Sequence, residues 1–150
     1  LLGVQDLSAF QRFLRLCAAR TGQLLNLSAV AGEAGISHST ARAWLSILEA
    51  SYIVMLLPPY HRNFGKRLVK TPKLHFLDSG LLAALQGATA ERLAADRTRF
   101  GALLETFVFA ELQKQAGWSE DPARPAFYRT RDGEEIDLLF ERADGTLVAV

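Results

Sequence analysis

The sequence predicts an α+β protein whose helical first half carries two strands and whose second half combines one long helix with three strands. Apolar residues recur at helical spacing over 7–18 and again over 100–115. Short runs rich in β-branched and aromatic residues follow these helical regions, first at 52–57 and later at 126–130. The 49% apolar content of the 150 residues is enough to build a hydrophobic core.

Composition argues against a membrane or secreted protein. The longest unbroken apolar run, residues 52–57, is far shorter than the roughly 20 residues that cross a bilayer, and no charged-then-apolar leader opens the chain. The single cysteine, Cys17, cannot form an internal disulfide, and no Cys/His cluster has the spacing of a zinc site. We therefore expect a cytoplasmic protein with no membrane partner.

Charge divides the chain into two unlike halves. Residues 1–77 hold nine Lys/Arg and three Asp/Glu, whereas residues 78–150 hold eight Lys/Arg and thirteen Asp/Glu. A basic half attracts polyanions, and an acidic half repels them unless a divalent cation lies among its carboxylates. Because an alanine-rich connector follows Gly87, we predict domains at 1–87 and 88–150. The chain begins without Met and stops in a strand-like run, so we expect a piece of a longer protein.

The first half has the spacing of a helix-turn-helix. Ser8 and Gln11 match a capping box at the start of helix one. Ser28 is predicted to cap a short second helix that ends near Gly35, and Ser37 is predicted to cap a third helix reaching residue 50. Glycine suits the intervening turn because the turn requires a positive φ.

The third predicted helix has one apolar side, which contains Trp44, and one polar side. The polar stripe, our candidate nucleic-acid-binding face, consists of His38, Ser39, Arg42 and Ser46. Of these, only Arg42 can make a bidentate contact with guanine. The same stripe is also consistent with the solvated face of a three-helix core.

Two strands at 52–57 and 73–77 after a helix-turn-helix make a winged helix, with 58–72 as a long hairpin loop that lacks acidic residues. The candidate phosphate-binding residues are Arg62, Lys66, Arg67, Lys70 and Lys73. Tyr60 and Phe64 are interleaved with them as stacking groups. A solvated basic loop anchored on its own domain, or a surface that docks on an acidic partner, explains the pattern equally well.

Two carboxylates in the second half are unusually placed. The neighbours of Glu105 one helical turn away have no polar side chain, and Asp137 interrupts an otherwise apolar strand at 135–141. Burying an unpaired charge is costly, so such residues usually have a cation, a metal or a hydrogen-bond donor as partner. Structural ion pairs with Arg129, Arg131 or backbone donors would also satisfy them.

The order of a helix with an inward Glu, two antiparallel strands with an inward Asp and a third strand resembles the PD-(D/E)xK nuclease-like fold. The resemblance implies that Glu105 and Asp137 are candidate catalytic and metal-binding residues, around Mg or Mn in the complete protein. The family's Glu-x-Lys would follow Val150. This fragment is therefore expected to be catalytically incomplete and to hold no cofactor of its own.

A linked set of motifs extends over nearly the whole chain. It includes Asn26-Leu-Ser28, Gly35-Ile-Ser-His38, Leu57-Pro-Pro-Tyr60, Asn63-Phe-Gly-Lys-Arg67, Asp78-Ser-Gly80, Leu104-Glu-Thr-Phe107 and Glu135-Ile-Asp137. With this set, the chain resembles the C-terminal region, a domain of unknown function, of a family of prokaryotic AAA-type ATPases. The resemblance implies a winged helix-turn-helix followed by a truncated restriction-endonuclease-like α/β domain. ATP would bind only in an upstream ATPase domain, since this chain has no GxxxxGK[ST] loop.

Three functions are compatible with these features. The first is an accessory module of an AAA-type ATPase that binds nucleic acid, with duplex DNA favoured, through the helix-turn-helix and the basic wing. The second is a fragment of a divalent-metal-dependent nuclease. The third is a protein-docking module for the ATPase domain.

Overall fold

The structure, a computed structural model, describes residues 6–60, 69–130 and 133–150. Within these ranges the chain has the predicted α+β class, with six helices and two antiparallel three-stranded sheets. In chain order the elements are α1 (Leu7–Ala18), β1 (Gln23–Leu24), α2 (Leu27–Ala34), α3 (His38–Ala50), β2 (Val54–Leu57), β3 (Lys73–Phe76), α4 (Ser79–Gln86), α5 (Ala90–Ala95), α6 (Arg97–Trp118), β4 (Ala123–Arg129), β5 (Glu135–Arg142) and β6 (Leu147–Ala149). Every helix in the described ranges is too short or too polar to traverse a lipid bilayer.

The first sheet packs against three helices, α1, α2 and α3, in one shared core. Strand β3 lies between β1 and β2, and both pairings are antiparallel. In the β2–β3 register, Val54 lies opposite Phe76 and Leu57 lies opposite Lys73. The short β1 was not predicted, because a two-residue strand has no periodicity of its own.

Two helices begin at caps other than the predicted ones. Asp6 caps α1, its Oδ1 accepting the amide of Ala9 at 2.9 Å, while the hydroxyl of Ser8 donates to the same carboxylate at 2.7 Å. Asn26 caps α2 in the same way. The predictions of Ser8 and Ser28 as caps were wrong, because Asp and Asn are equally good caps and lie slightly earlier in the chain.

Other predicted boundaries are confirmed. Ser37 caps α3, and its Oγ accepts the amide of Thr40 at 3.0 Å. Gly35 ends α2 with a left-handed φ of +72°. The segment Asp78-Ser-Gly80 before an apolar run predicts a capped helix that ends at Gly87, and α4 begins at the cap Asp78 and ends at Gly87, where φ is +60°. Polar caps and left-handed glycines are local signals, so a sequence can reveal them.

The region between α4 and the second sheet contains more helix than predicted. The expected connector at 88–97 includes α5, which Thr89 caps with its side-chain oxygen. The helical pattern over 100–115 predicts a stop at Gly117, but helix α6 continues one residue further, to Trp118, so this prediction was wrong.

The packed face of helix α6 matches the predicted one only in part, since Leu103 and Leu112 pack against the two hydrophobic clusters. The residues predicted to face the core were Phe100, Leu103, Leu104, Phe107, Val108 and Leu112. In the structure, Phe100, Leu104 and Phe107 are 42–50% exposed, whereas Thr106 and Phe109 are buried. Apolar residues lie all around this helix, so their spacing alone could not single out the packed face.

The second sheet contains the three strands predicted for this half. Strand β5 lies between β4 and β6, and both pairings are antiparallel. The β4–β5 register shifts between Ala126 and Tyr128. The turn before β6 uses Gly145 at a φ of +83°, and the carboxylate of Asp144 accepts the amide of Thr146.

Two hydrophobic clusters form the core. The larger cluster joins α1, α2, α3 and the first sheet around Phe13, Leu48 and Phe76. The smaller cluster joins α6 and the second sheet around Phe109 and Phe127, but it also includes Leu57 of β2. The first sheet therefore contributes to both clusters.

Candidate functional site

The predicted nucleic-acid-binding face of α3 is exposed. His38, Ser39, Arg42 and Ser46 all lie at the surface. The opposite side of the helix packs inward through Leu45 and Leu48, and through the half-buried Trp44.

Trp44 fixes the orientation of α3 against α1. Its ring meets those of Phe10 and Phe13 edge-on, at centroid distances of 5.3 and 5.7 Å. Because these aromatic contacts hold the inner face, the polar face of α3 is directed to solvent.

The N-terminal end of α3 lies beside the segment that leads into β3. His38 and Thr71 line one cleft together with Asn26 and Ser28 at the start of α2. Lys70, next to Thr71, is exposed. The structure thus brings part of the helix face and the end of the predicted loop onto one surface.

The predicted loop has fixed ends. The amide of Phe127 donates to the carbonyl of Pro58 at 3.1 Å, and the amide of Tyr60 donates to the carbonyl of Phe127 at 2.7 Å. At the other end, the amide of Val69 donates to the carbonyl of Arg129 at 3.2 Å. Both ends of the segment are therefore joined to β4. Arg62, Phe64, Lys66 and Arg67 lie outside the described residues.

Lys73 was predicted to contact phosphates, but in the structure it is buried. Its side chain is only 3% exposed, and its Nζ lies 2.7 Å from Glu135 Oε1 and 2.7 Å from Asp137 Oδ1. The ammonium also lies 5.3 Å from the centroid of the Phe127 ring, within cation–π range. Lys73 is therefore not an exposed loop cation, and its predicted contact with a phosphate is not available in this fold.

The ion pairs keep Lys73 protonated. Burial alone would lower the pKa of this amine, but the hydrogen bonds to Asp137 and Glu135 and the charges of both carboxylates raise the pKa above its usual value. Arg129 adds a second, looser cation, with its Nη1 3.6 Å from Glu135 Oε2.

Glu105 has the partly buried position that the sequence predicts. One carboxylate oxygen, Oε1, is buried and has no hydrogen-bond partner among the described residues. Burial raises the pKa of Glu105, and the nearby Asp137 and Glu135 charges act in the same direction, while Lys73 opposes them. Asp137 is less inward than predicted, since its side chain is 60% exposed.

His75 is a buried polar residue that sequence reasoning did not identify. It is 1% exposed, its ring stacks on Phe109 with centroids 4.4 Å apart, and neither ring nitrogen has a hydrogen-bond partner within the described part of the chain. His75, Glu105 and Asp137 line one cleft with apolar side chains of α6. The two predicted carboxylates thus lie around a common space.

A signal for this cluster is present in the sequence. Lys73 and His75 are two residues apart on one strand, and Glu135 and Asp137 are two residues apart on another. Side chains at that spacing point to the same face of a strand. Complementary charges on two such strands indicate a pairing, but only the tertiary structure shows that β3 and β5 approach each other.

A metal ion in this cluster would require a set of several ligand side chains around one point. Among residues 6–60, 69–130 and 133–150, no three His, Cys, Asp or Glu side chains are grouped so that they could hold a metal ion. The charged groups form ion pairs that connect Lys73 of β3 with Glu135 and Asp137 of β5.

The fold and these two surfaces define an α+β protein with an exposed polar helix and an internal charge cluster. Residues 1–92 match the family described as domain of unknown function DUF8612, and the chain belongs to this family. Residues 100–150 match a second domain of unknown function, DUF4143.

Curated relatives share most of the chain. Uncharacterized proteins of Mycobacterium bovis and Mycobacterium tuberculosis are each 33% identical over 142 residues, which is 93% of this chain. The match covers 31% of each relative, so the chain spans about a third of their length. No solved structure matches the chain.

Proposed function

We propose that this chain is a nucleic-acid-binding accessory module of an AAA-type ATPase, and that it binds duplex DNA through the outer face of α3 and the adjoining basic loop. The observation that carries the proposal is the exposure of all four polar residues on α3, with Arg42 near the middle of the stripe. An exposed helix with one Arg and several hydroxyl groups is suited to contacting phosphates and base edges.

The order of elements supports the proposal. Three helices and three short strands alternate as α1, β1, α2, α3, β2 and β3, and the sheet order is β1-β3-β2. This arrangement is expected of a winged helix, in which the third helix enters the major groove and the β2–β3 loop contacts the backbone.

The distribution of charge agrees with this orientation. Arg20 is paired with Glu33 at 2.6 Å, and Lys73 is paired with Asp137. Neither cation is therefore expected to bind a polyanion. Arg42 and Lys70 are exposed near the proposed contact surface. Each phosphate contact contributes about 0.9 to the slope of log affinity against log salt, so binding is expected to weaken steeply as salt rises.

The proposed partner is an upstream ATPase domain. The motif resemblance to AAA-type ATPases supports it, as does the fact that the relatives are about three times as long as the matched segment. In this proposal ATP binds only in the upstream domain, and the present chain supplies the contact with DNA in the cytoplasm.

Duplex binding measured by fluorescence anisotropy tests the proposal. Arg42→Glu is expected to weaken binding of a random-sequence duplex by about tenfold, which corresponds to about 1.4 kcal/mol, and to reduce the salt slope by about one. Arg124→Glu is the matched control, because Arg124 is an exposed arginine on the second sheet. Equal losses in the two variants would contradict a specific role for α3.

The loop is tested separately. Exchanging Lys66, Arg67 and Lys70 for Glu is expected to weaken duplex binding further and to flatten its salt dependence. An unchanged affinity would show that the loop does not contact DNA. The proposed contact through α3 would then be judged by the Arg42→Glu result alone.

A second candidate function, docking on the ATPase domain, has its own support. Helix α6 has an exposed apolar stripe that consists of Phe100, Leu104 and Phe107. Contiguous exposed apolar surface often marks a site of interaction with another protein. Absence of duplex binding at low salt would favour this candidate. Metal-dependent cleavage has no comparable observation in its favour.

A further inference from the structure

The nuclease-like resemblance implies a divalent metal held by Glu105 and Asp137, and the described residues do not fit it. Asp137 Oδ1 is already 2.7 Å from an ammonium group. The carboxylate of Glu105 lies close to Gly22, where an added Cβ would be 3.1 Å from Oε1. No third ligand joins these two groups within the described part of the chain.

The ammonium group of Lys73 occupies a position between carboxylates that a bound cation could otherwise fill. Its Nζ lies between two carboxylate oxygens at equal distances of 2.7 Å, and its side chain is almost completely removed from water. Charge-assisted bonds of this length to a buried ammonium are strong, and removing one partner leaves an uncompensated charge. The aromatic face of Phe127 adds a further favourable contact.

The cluster is also close to charge balance without a metal. Lys73 and Arg129 provide two positive charges against the carboxylates of Glu105, Glu135 and Asp137. Burial raises the pKa of Glu105, because the charged form is disfavoured there.

We infer that the ammonium of Lys73 is the resident cation of this carboxylate cluster, and that the cluster is a structural link between the two sheets in place of a divalent-metal centre. Lys73 lies on β3, directly opposite the last residue of β2, and its two carboxylate partners lie on β5. The inference concerns the contact between β3 and β5 and does not depend on nucleic-acid binding.

Manganese binding to the 150-residue chain, followed by electron paramagnetic resonance of free Mn²⁺, is the first test. The wild-type chain and Asp137→Asn are expected to leave the free Mn²⁺ signal equally unchanged at submillimolar metal. Tight Mn²⁺ binding by the wild-type chain that Asp137→Asn abolishes would overturn the inference.

Thermal unfolding of Lys73 variants is the second test. Lys73→Met leaves Glu135 and Asp137 without their shared cation, so the melting temperature is expected to fall, and added Mn²⁺ is expected to recover part of the loss. The wild-type melting temperature is expected not to respond to Mn²⁺. An unchanged melting temperature in Lys73→Met, or an equal Mn²⁺ response in both proteins, would contradict the inference.

A matched triple variant covers the case in which Lys73→Met does not fold. Lys73→Met combined with Glu135→Gln and Asp137→Asn removes both charges together with the ammonium. It is expected to fold and melt at a higher temperature than Lys73→Met, with no response to Mn²⁺. A triple variant no more stable than Lys73→Met would show that unpaired carboxylates are not the cause of the loss.

Discussion

The imidazole of His75 is next to both an aromatic ring and charged side chains. It stacks on Phe109 and lines the same cleft as Glu105 and Asp137, and Lys73 lies two residues away on the same strand. Burial lowers the pKa of His75 to about 4, with the Lys73 charge adding to the effect and Asp137 opposing it. His75 is therefore neutral in the folded chain at neutral pH.

This shift predicts a loss of stability in mild acid. The folded pKa of His75 lies below its ordinary value of 6.5, so the unfolded chain binds the proton more readily between these values. At about 1.4 kcal/mol per pKa unit, the free energy of unfolding is expected to fall by about 2 kcal/mol between pH 7 and pH 5 from His75 alone. Urea denaturation at pH 7 and at pH 5 measures this change in the free energy of unfolding.

A variant isolates the His75 contribution. Glu105 acts in the opposite direction, because its raised pKa makes the folded chain hold a proton more readily than the unfolded chain. His75→Phe retains an aromatic ring against Phe109 but cannot be protonated. The free energy of unfolding of the wild type, relative to that of His75→Phe, is therefore expected to fall by about 2 kcal/mol between pH 7 and pH 5. Parallel pH profiles would refute this explanation.

The turn between α2 and α3 is the element that sets the direction of the proposed binding helix. Gly35 adopts a left-handed φ of +72° there, and a Cβ added at Gly35 would meet no atom within 4 Å. Any penalty for a larger residue at this position therefore comes from the backbone conformation and not from a clash. Gly32, in the middle of α2, has the same free space but a helical conformation.

The two glycines predict opposite effects of the same substitution. Gly35→Ala is expected to destabilise the chain by about 1–2 kcal/mol, because alanine disfavours the left-handed region. Gly32→Ala is expected to stabilise it by about 0.5–1 kcal/mol, because glycine is a poor helix former. Chemical denaturation of both variants measures these changes. Effects of the same sign at both positions would contradict the assigned conformations.

Elements differ in how far local sequence could define them. Ser37, Gly35 and Asp78 mark helix ends through hydrogen bonds and φ values that depend on few neighbours. The packed face of α6 depends on what lies against it. Thr106 is buried, and its hydroxyl lies 3.1 Å from that of Thr21 on the loop after α1. No pattern within α6 indicates that contact.

At the scale of the whole molecule, several contacts join the two predicted domains. Leu57 of β2 belongs to the cluster around Phe127, and Lys73 of β3 is paired with carboxylates of β5. The hydroxyl of Thr21, after α1, lies 3.1 Å from the hydroxyl of Thr106 on α6. The division at 1–87 and 88–150 remains a prediction from composition.

These shared contacts predict one cooperative unfolding transition. Amide signals of Leu48 in the larger cluster and Phe140 in the smaller cluster are expected to disappear at the same urea concentration, because each cluster depends on residues of the first sheet. Two-dimensional NMR along a urea titration measures both. Clearly separated midpoints would instead support two independently folding domains.

The sequence by itself determined the α+β class, the α3 stripe, several caps and the unusual position of Glu105, because periodicity, capping and local polarity act over one or two helical turns. The tertiary structure decided that Lys73 is a buried counter-ion, that His75 is enclosed and that α6 packs through Thr106 and Phe109. These outcomes arise from contacts between residues tens of positions apart. Burial and pairing of charge depend on which strands meet, and that is a property of the assembled fold.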